Sequence, residues 1–309
     1  MTSPHATSAT PLDTVSPRRR FVVVRNRLAG LAGQRIVDAV AARLEVRGAS
    51  VRIAETRSAE EGRDVLAAST DCDVIVAAGG DGTIRGVAWS MSEANCTRPL
   101  GIIPAGTGNV LANEISLPRA AEPIANVLLE GPVRHARFAT ANGVPFLLMC
   151  GAGFDAQVLL RLSVKLKQRV GRAAYSGPTL QTLALDPPLL FDVDIDGHRH
   201  RASWVVVANA RTYGGSFTIA PAASLLEDGL HAVVFKATSR AGRIGELLSL
   251  AAGRIERCRS VEIIPCRQVS IASPRGMPTQ CDGDSLGFGP VKVACTDRTI
   301  ALIVPPPPA

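Results

Sequence analysis

Up to Gly131 the chain alternates short apolar runs with amphipathic stretches. Phe21 to Val24 predicts a first strand. After the loop Asn26-Arg27-Leu28-Ala29-Gly30, Gln34 to Val46 places Ile36, Val37, Val40 and Leu44 on one helical stripe, closed by Gly48. Val51 to Ala54 predicts a second strand. Ser58, with Glu61 three positions later, forms a capping box for a helix through Ala68. The stretch DVIVAAGGDGT, Asp73 to Thr83, begins as the continuous apolar run of a buried parallel strand and breaks into glycines before a helix-compatible segment, Ile84 to Met91. The sequence PLGIIPAGTGN, Pro99 to Asn109, repeats the pattern, with Val110 to Ile115 able to open a helix, and Ile124 to Leu129 completes the series. This β-α alternation predicts a parallel, Rossmann-like sheet with a ligand at the C-terminal ends of its strands. The loops at Asn26 to Gly30, Thr56, Gly79 to Thr83 and Gly106 to Asn109 share that edge.

Beyond Gly131 the period shifts toward two. Phe146 to Met149, Phe191 to Ile195, Trp204 to Ala208, Phe217 to Ala220, Ala232 to Phe235, Val261 to Ile264 and Val269 to Ala272 read as strands. Phe191, Val193 and Ile195 alternate ahead of the hairpin signal Asp196-Gly197. Helical stretches are expected at Ala156 to Ala184 and Gly242 to Arg254. The second domain is thus predicted to be a mostly antiparallel β-sandwich. The expected layout is a disordered tail over 1–17, an α/β domain over 18–131, and a β-sandwich domain over 132–294.

The glycine turns carry the chemistry. A strand that breaks into glycines and feeds a helix brings backbone N–H groups close to an anion, and the helix N-terminus adds partial positive charge. Asp81 inside such a turn would repel phosphate unless a cation lay between them, so it reads as an organiser of Mg²⁺ on a nucleotide. A plain βα turn would also use Gly and Asp. Near the chain end, Asp282 and Asp284 straddle Gly283 and are the candidate carboxylates for accepting a hydroxyl proton, although a solvated surface turn reads the same way.

Composition narrows the partners. The 309 residues are 46% hydrophobic with 4% aromatics, an aliphatic globular chain large enough for two cores. The net charge of +7 favours anionic partners, but no basic patch interleaved with aromatics points to nucleic acid. The seven cysteines are scattered, without a CxxC pair, which speaks against a zinc site or a disulfide framework and for reduced thiols in the cytoplasm. No run reaches the length of a membrane span, and the Ser/Thr/Pro-rich first 17 residues lack an apolar signal core. Arg161, Lys165, Arg169 and Arg172 recur at helical spacing within Gln157 to Arg172, a cationic face that could meet an acidic bilayer.

GGDGT followed by a strand and then PAGTGN resembles the catalytic domain of diacylglycerol kinases, shared with sphingosine and ceramide kinases, and most of all the soluble bacterial lipid kinases. The resemblance implies an ATP- and Mg²⁺-dependent lipid kinase, peripheral to the membrane, that phosphorylates a hydroxyl of a diacylglycerol-like or sphingoid lipid; homodimerisation stays open. It implies that Asn26, Thr56, Gly79, Gly80, Asp81, Gly82, Thr83, Gly106, Thr107, Gly108 and Asn109 hold the nucleotide. Asp284, where relatives carry a glutamate, would be the base, with Asp282 assisting and Asp81 on the metal. The turn Leu226 to Leu230 is similar to one that holds a structural Mg²⁺, with Asp228 and the carbonyls of Leu225 and Leu230 as ligands. The chain end, 295–305, is expected to return to the first domain. Gly151 to Ala156 matches the family's entry into a long helix, which Asp155 would cap. The chain departs from the family at Arg85-Gly86 (Asn-Glu in relatives), Arg27 (Pro), Val110 (Asp) and Arg137 (Asp). NAD kinases share the GGDG turn, and a nucleotide- or lipid-binding regulator without catalysis would share the whole scaffold.

Overall fold

The protein's computed structural model describes residues 18–27, 30–57, 59–162, 171–272, 274 and 276–307. Strands β1 (Arg20–Asn26), β2 (Ser50–Thr56), β3 (Val74–Gly79) and β4 (Leu100–Pro104) alternate with helices α1 (Leu31–Val46), α2 (Ala59–Ala67) and α3 (Asp81–Glu93). They pair in the order β2-β1-β3-β4, all parallel. Every residue of β3 is buried. This follows from its central place, because α1 packs with α5 (Ala121–Glu130) and α2 with α3, covering both faces. The short α4 (Val110–Glu114) follows the second glycine turn. The C-terminal ends of the four strands therefore bring Asn26, Thr56, Gly79 and Pro104 to one edge.

The remaining strands are β5 (Val133–Ala141), β6 (Val144–Phe146), β7 (Met149–Ala152), β8 (Phe191–Ile195), β9 (His198–Ala202), β10 (Trp204–Ala208), β11 (Thr212–Tyr213), β12 (Phe217–Thr218), β13 (Leu230–Phe235), β14 (Val261–Cys266), β15 (Gln268–Ala272), β16 (Pro278–Cys281), β17 (Asp284–Phe288) and β18 (Val291–Ile303). Helices α6 (Phe154–Arg161), α7 (Ser176–Leu185) and α8 (Arg240–Ala251) interrupt them. One antiparallel sheet runs β14-β13-β10-β7-β16-β17. Its inner face, with Cys150, Val205, Val207 and Val234, packs on Val193, Val269 and Val293 of the other sheet. Its outer face, with Trp204, Val206 and Phe235, joins the core that includes Phe154 and Val158 of α6. The second domain is an antiparallel β-sandwich with helices laid over one leaf.

The long strand β18 links the two halves. Its start pairs antiparallel with β15, its end lies parallel to β4 through Leu302 and Leu100, and β5 runs antiparallel along it. A register shift between Cys295 and Thr299 accommodates the polar Thr296-Asp297-Arg298. The apolar run at Ile300 is thus the end of a 13-residue strand.

Two local expectations need correction. The long helix predicted over Ala156 to Ala184 ends at Arg161, where Leu162 turns extended (φ −76°, ψ 120°). A 3-10 turn at Gly171–Tyr175 and then α7 follow, with Pro178 in the first turn of α7, where its missing N–H does no harm. Arg161 spends its charge on Asp186, at 2.5 and 3.0 Å, so the proposed cationic face is not one continuous helix; Lys165 and Arg169 lie outside the described residues. The tail 1–17 and the cap Ser58 also lie outside them.

The strand predicted over Phe146 to Met149 breaks at Leu147-Leu148, and Asp282 is the reason. Asp282 and Gly283, at φ 49° and 82°, form the two-residue turn between β16 and β17. The Asp282 carboxylate points inward and accepts the backbone N–H groups of Leu147 (3.0 Å), Leu148 (2.9 Å) and Met149 (2.9 Å). Its side chain is 1% exposed. Asp282 is therefore an anchor between strands, and not the assisting base expected from sequence. Replacing it by alanine leaves three buried donors without an acceptor. Asp282→Ala should lower stability by on the order of 3 kcal/mol, read from the urea midpoint. A loss below about 1 kcal/mol would contradict this anchoring role.

Candidate functional site

A cavity of about 1260 Å³ lies between the strand ends of the first domain and the outer face of the sandwich. One end is lined by Asn26, Thr56, Gly79 to Thr83 and Gly106 to Gly108, the other by Phe154, Val158, Trp204, Tyr213, Phe217 and Leu250. Asp284 stands on the wall between them.

The polar end is built from the glycine turns. A Cβ on Gly106 would sit 2.3 Å from the Cα of Gly80, so the turns touch backbone to backbone. A Cβ on Gly79 would meet the Thr83 side chain at 2.6 Å. Helix α3 begins at Asp81, and its first N–H groups have no intrahelical carbonyl to bind. Asp81 faces the second turn, where its Oδ1 accepts the Leu111 N–H at 2.9 Å. A cation is therefore not the sole reason for a carboxylate here, since Asp81 also ties the start of α4 to the first turn. Its Oδ2 lies 3.2 Å from where a Cβ of Gly108 would stand.

The neighbouring polar residues divide into lining and bracing groups. Asn26 Nδ2 donates to Thr83 Oγ1 at 3.0 Å, and Thr56 Oγ1 donates to the Arg25 carbonyl at 3.4 Å. Asn109, at φ 47°, closes its own turn by accepting from the Gly106 N–H (3.0 Å) and donating to the Gly106 carbonyl (2.9 Å). It shapes the loop and does not line the cavity, in contrast to Thr107 and Gly108. Asp284 Oδ2 lies 3.6 Å from a Cβ placed on Gly82, so this carboxylate of the second domain overhangs the first glycine turn. Arg85, visible in the sequence only as a departure from the family pattern, binds it with Nη2 at 2.9 Å.

Asp155 belongs to the apolar end. It is not the helix cap expected from sequence, because Gly153 holds that position at φ 102° and Asp155 is already inside α6. Its carboxylate accepts from Gln280 Nε2 and the Ala156 N–H, each at 2.8 Å. Burial pushes its pKa up to about 6, against the pull of these donors. Around it, Trp204 stacks on Phe235 with ring centroids 3.7 Å apart, and the Arg243 guanidinium lies 5.3 Å from the Phe154 and Trp204 rings. Arg243 is tied to Ser203 Oγ at 2.8 Å and lies 3.3 Å from buried Glu246.

The residues expected to hold a structural Mg²⁺ lie together on one turn and its strand, and each has a protein neighbour. Asp228 pairs with Arg267 at 2.7 Å, and this bond, with Arg137 also nearby, holds its carboxyl below the ordinary range. The Leu225 carbonyl accepts the Arg137 N–H at 2.8 Å, and Leu230 is aligned with Cys266 in the β13–β14 ladder. The Asp228–Arg267 pair is open to solvent, with side chains 48% and 60% exposed.

Asp155 keeps its proton to about pH 6 in the folded chain but only to about pH 4 when unfolded. The folded state binds the extra proton in between, so stability falls as pH rises through that window. Asp155→Asn removes this slope. The variant should gain on the parent between pH 4 and 6, by on the order of 1–3 kcal/mol, and hold that gain above pH 6. Urea curves at graded pH measure it, and a constant difference across the window would contradict the assignment.

Comparison with known proteins agrees with this geometry. Residues 20–141 match the diacylglycerol kinase catalytic domain, and residues 149–304 match the YegS C-terminal NAD kinase beta sandwich-like domain. A diacylglycerol kinase of Bacillus subtilis is 26% identical over 244 residues, covering 77% of this chain and 80% of that one. A Pseudomonas fluorescens protein named "Probable lipid kinase YegS-like" is 30% identical over 215 residues, 69% of this chain and 71% of its own. The chain spans 54% of the length of an uncharacterized Synechocystis protein, at 25% identity over 238 residues. A crystal structure titled "Crystal structure of a putative diacylglycerol kinase from Bacillus anthracis str. Sterne" shares the fold with a TM-score of 0.77 at 20% identity, over 98% of this chain and 99% of that one. With both of its domains matched in order, the chain belongs to the diacylglycerol kinase-like family of lipid kinases.

Proposed function

We propose that the protein transfers the γ-phosphate of ATP to a hydroxyl of a diacylglycerol-like or sphingoid lipid presented at a membrane surface. The observation that carries this reading is the polarity of one continuous cavity, with touching glycine turns at one end, an aliphatic and aromatic compartment at the other, and Asp284 between them. A nucleotide phosphate fits the polar end, where the glycines leave the backbone open and N–H groups of α3 converge. An acyl or sphingoid chain fits the apolar end, which offers little to the second sugar and base of a dinucleotide; this favours a lipid over NAD as acceptor. The described residues contain no helix long and apolar enough to cross a membrane.

Phosphoryl transfer asks the protein mainly for positioning and charge placement. Gly80, Gly82, Thr83 and Thr107 would hold the phosphates, with Asn26 fixing Thr83 from behind. Mg²⁺ bound with the nucleotide would supply charge neutralisation, and Asp81 offers Oδ2 for it, since Oδ1 is bound to Leu111. Asp284, with a side chain 62% exposed toward the junction, would accept the hydroxyl proton of the acceptor.

Labelled ATP offered with a panel of diacylglycerols and sphingoid bases in mixed micelles, with NAD, and with no acceptor tests the reading. Label should appear on lipid, and Asp284→Asn should lower kcat by roughly 10²-fold with a smaller change in KM for ATP, as for a lost general base. Labelled NAD phosphate would establish the NAD kinase reading instead. Nucleotide binding without transfer to any acceptor would leave a regulator.

A further inference from the structure

Arg85 lies one helical turn beyond Asp81 on α3, and its side chain leaves the first domain altogether. Nη2 reaches Asp284 Oδ2 at 2.9 Å, and Nη1 reaches the Cys281 carbonyl at 3.2 Å and lies 3.9 Å from Asp282 Oδ2. These partners all belong to the β16–β17 turn, almost 200 positions away in sequence. The two ends of the contact differ in exposure, with 18% of the Arg85 side chain and 62% of the Asp284 side chain open to solvent. The Asp282 anchor and the β16–β17 ladder hold the Asp284 backbone from the sandwich side, and among the described residues Arg85 is the cation that holds its carboxylate. Burial would weaken the Arg85 charge, but Asp282 and Asp284 more than reverse that, and the guanidinium stays charged.

We propose that Arg85 is the positioning residue for Asp284: it clasps the β16–β17 turn from across the cavity and sets the Asp284 carboxylate over the first glycine turn. The planar fork serves two acceptors at once, a carboxylate oxygen and a backbone carbonyl, and so fixes direction as well as distance. By taking Oδ2, it leaves Oδ1 for the acceptor hydroxyl. The overhang of Asp284 on Gly82 is the geometric result, because the carboxylate comes to rest above the helix N-terminus that would hold the terminal phosphate. Lysine, with a single compact ammonium, would satisfy one of the two acceptors at a time. The inference rests on the lipid kinase reading for its consequence in catalysis, but the clasp itself does not depend on it.

The test combines kinetics with a measurement that needs no activity. In Arg85→Ala, kcat for lipid should fall roughly 10- to 100-fold while KM for ATP stays within about threefold, the mark of lost positioning. Arg85→Lys should recover only part of the loss, and added methylguanidinium should partly rescue the alanine variant. Combined with Asp284→Asn, the substitution should cause little further loss, since Arg85 acts through that carboxylate. Amide exchange over residues 282–288 should speed up several-fold in Arg85→Ala, while the interior of β3 stays protected. A normal kcat, a raised KM for ATP with kcat intact, or losses that multiply fully with Asp284→Asn would overturn the positioning role. Unchanged exchange at 282–288 would overturn the clasp even if the wild-type protein phosphorylates nothing; wild-type inactivity together with faster exchange would overturn only the kinase reading.

Discussion

At Gly80 and Gly106 two backbone turns from neighbouring parallel strands meet with no side chain between them. This contact follows from the sheet order, because β3 and β4 are adjacent and in register to their last residues, Gly79 with Pro104. The Ala105 N–H still reaches the Gly79 carbonyl, at 2.9 Å, so the ladder runs directly into the loops. Asp81 then binds across the seam to Leu111, and Asn109 folds the second loop on itself. The result is a floor of backbone N–H groups with one carboxylate oxygen left at its edge. The placement of every other candidate group is referred to this floor.

The second domain contributes a carboxylate aimed at the floor. Asp282 and Asp284 are two positions apart and have opposite fates. The first turns inward and fastens the hairpin to Leu147, Leu148 and Met149, and the second is presented to the cavity. Strand β18 sets the distance between the domains by pairing with β15 at one end and lying beside β4 at the other. A polar loop, an apolar compartment and a bridging carboxylate thus meet in one cavity although their residues are far apart in the chain.

Much of this was legible in the sequence where a single period governs a segment. β3 and β4 read as continuous apolar runs because helices cover both faces, and the glycine turns stood out because helix and strand residues stop together there. Phe191 to Ile195 and Trp204 to Ala208 were recovered residue for residue. Long-range polar contacts were not legible. The bulge at Thr296-Asp297-Arg298 hid the first half of β18, and the break at Leu147-Leu148 is imposed by a carboxylate more than 130 positions away. The Asp-Gly-Leu turn at 228–230 pairs its carboxylate with Arg267, a partner no local motif announces. Arg85 marked a departure from the family pattern; what it touches became visible only with the turn of the other domain beside it.

The central claim is that the touching glycine turns form the phosphate floor, and calorimetric titration of ATP into Gly106→Ala tests it most directly. Gly245→Ala in α8 serves as the control, because a Cβ there meets nothing within 4 Å and the residue does not line the cavity. A methyl group at position 106 must push the Gly80 backbone aside. The account predicts at least a tenfold loss of ATP affinity in Gly106→Ala, about 1.4 kcal/mol or more, with the control unchanged. ATP bound by Gly106→Ala as tightly as by the wild type would contradict it.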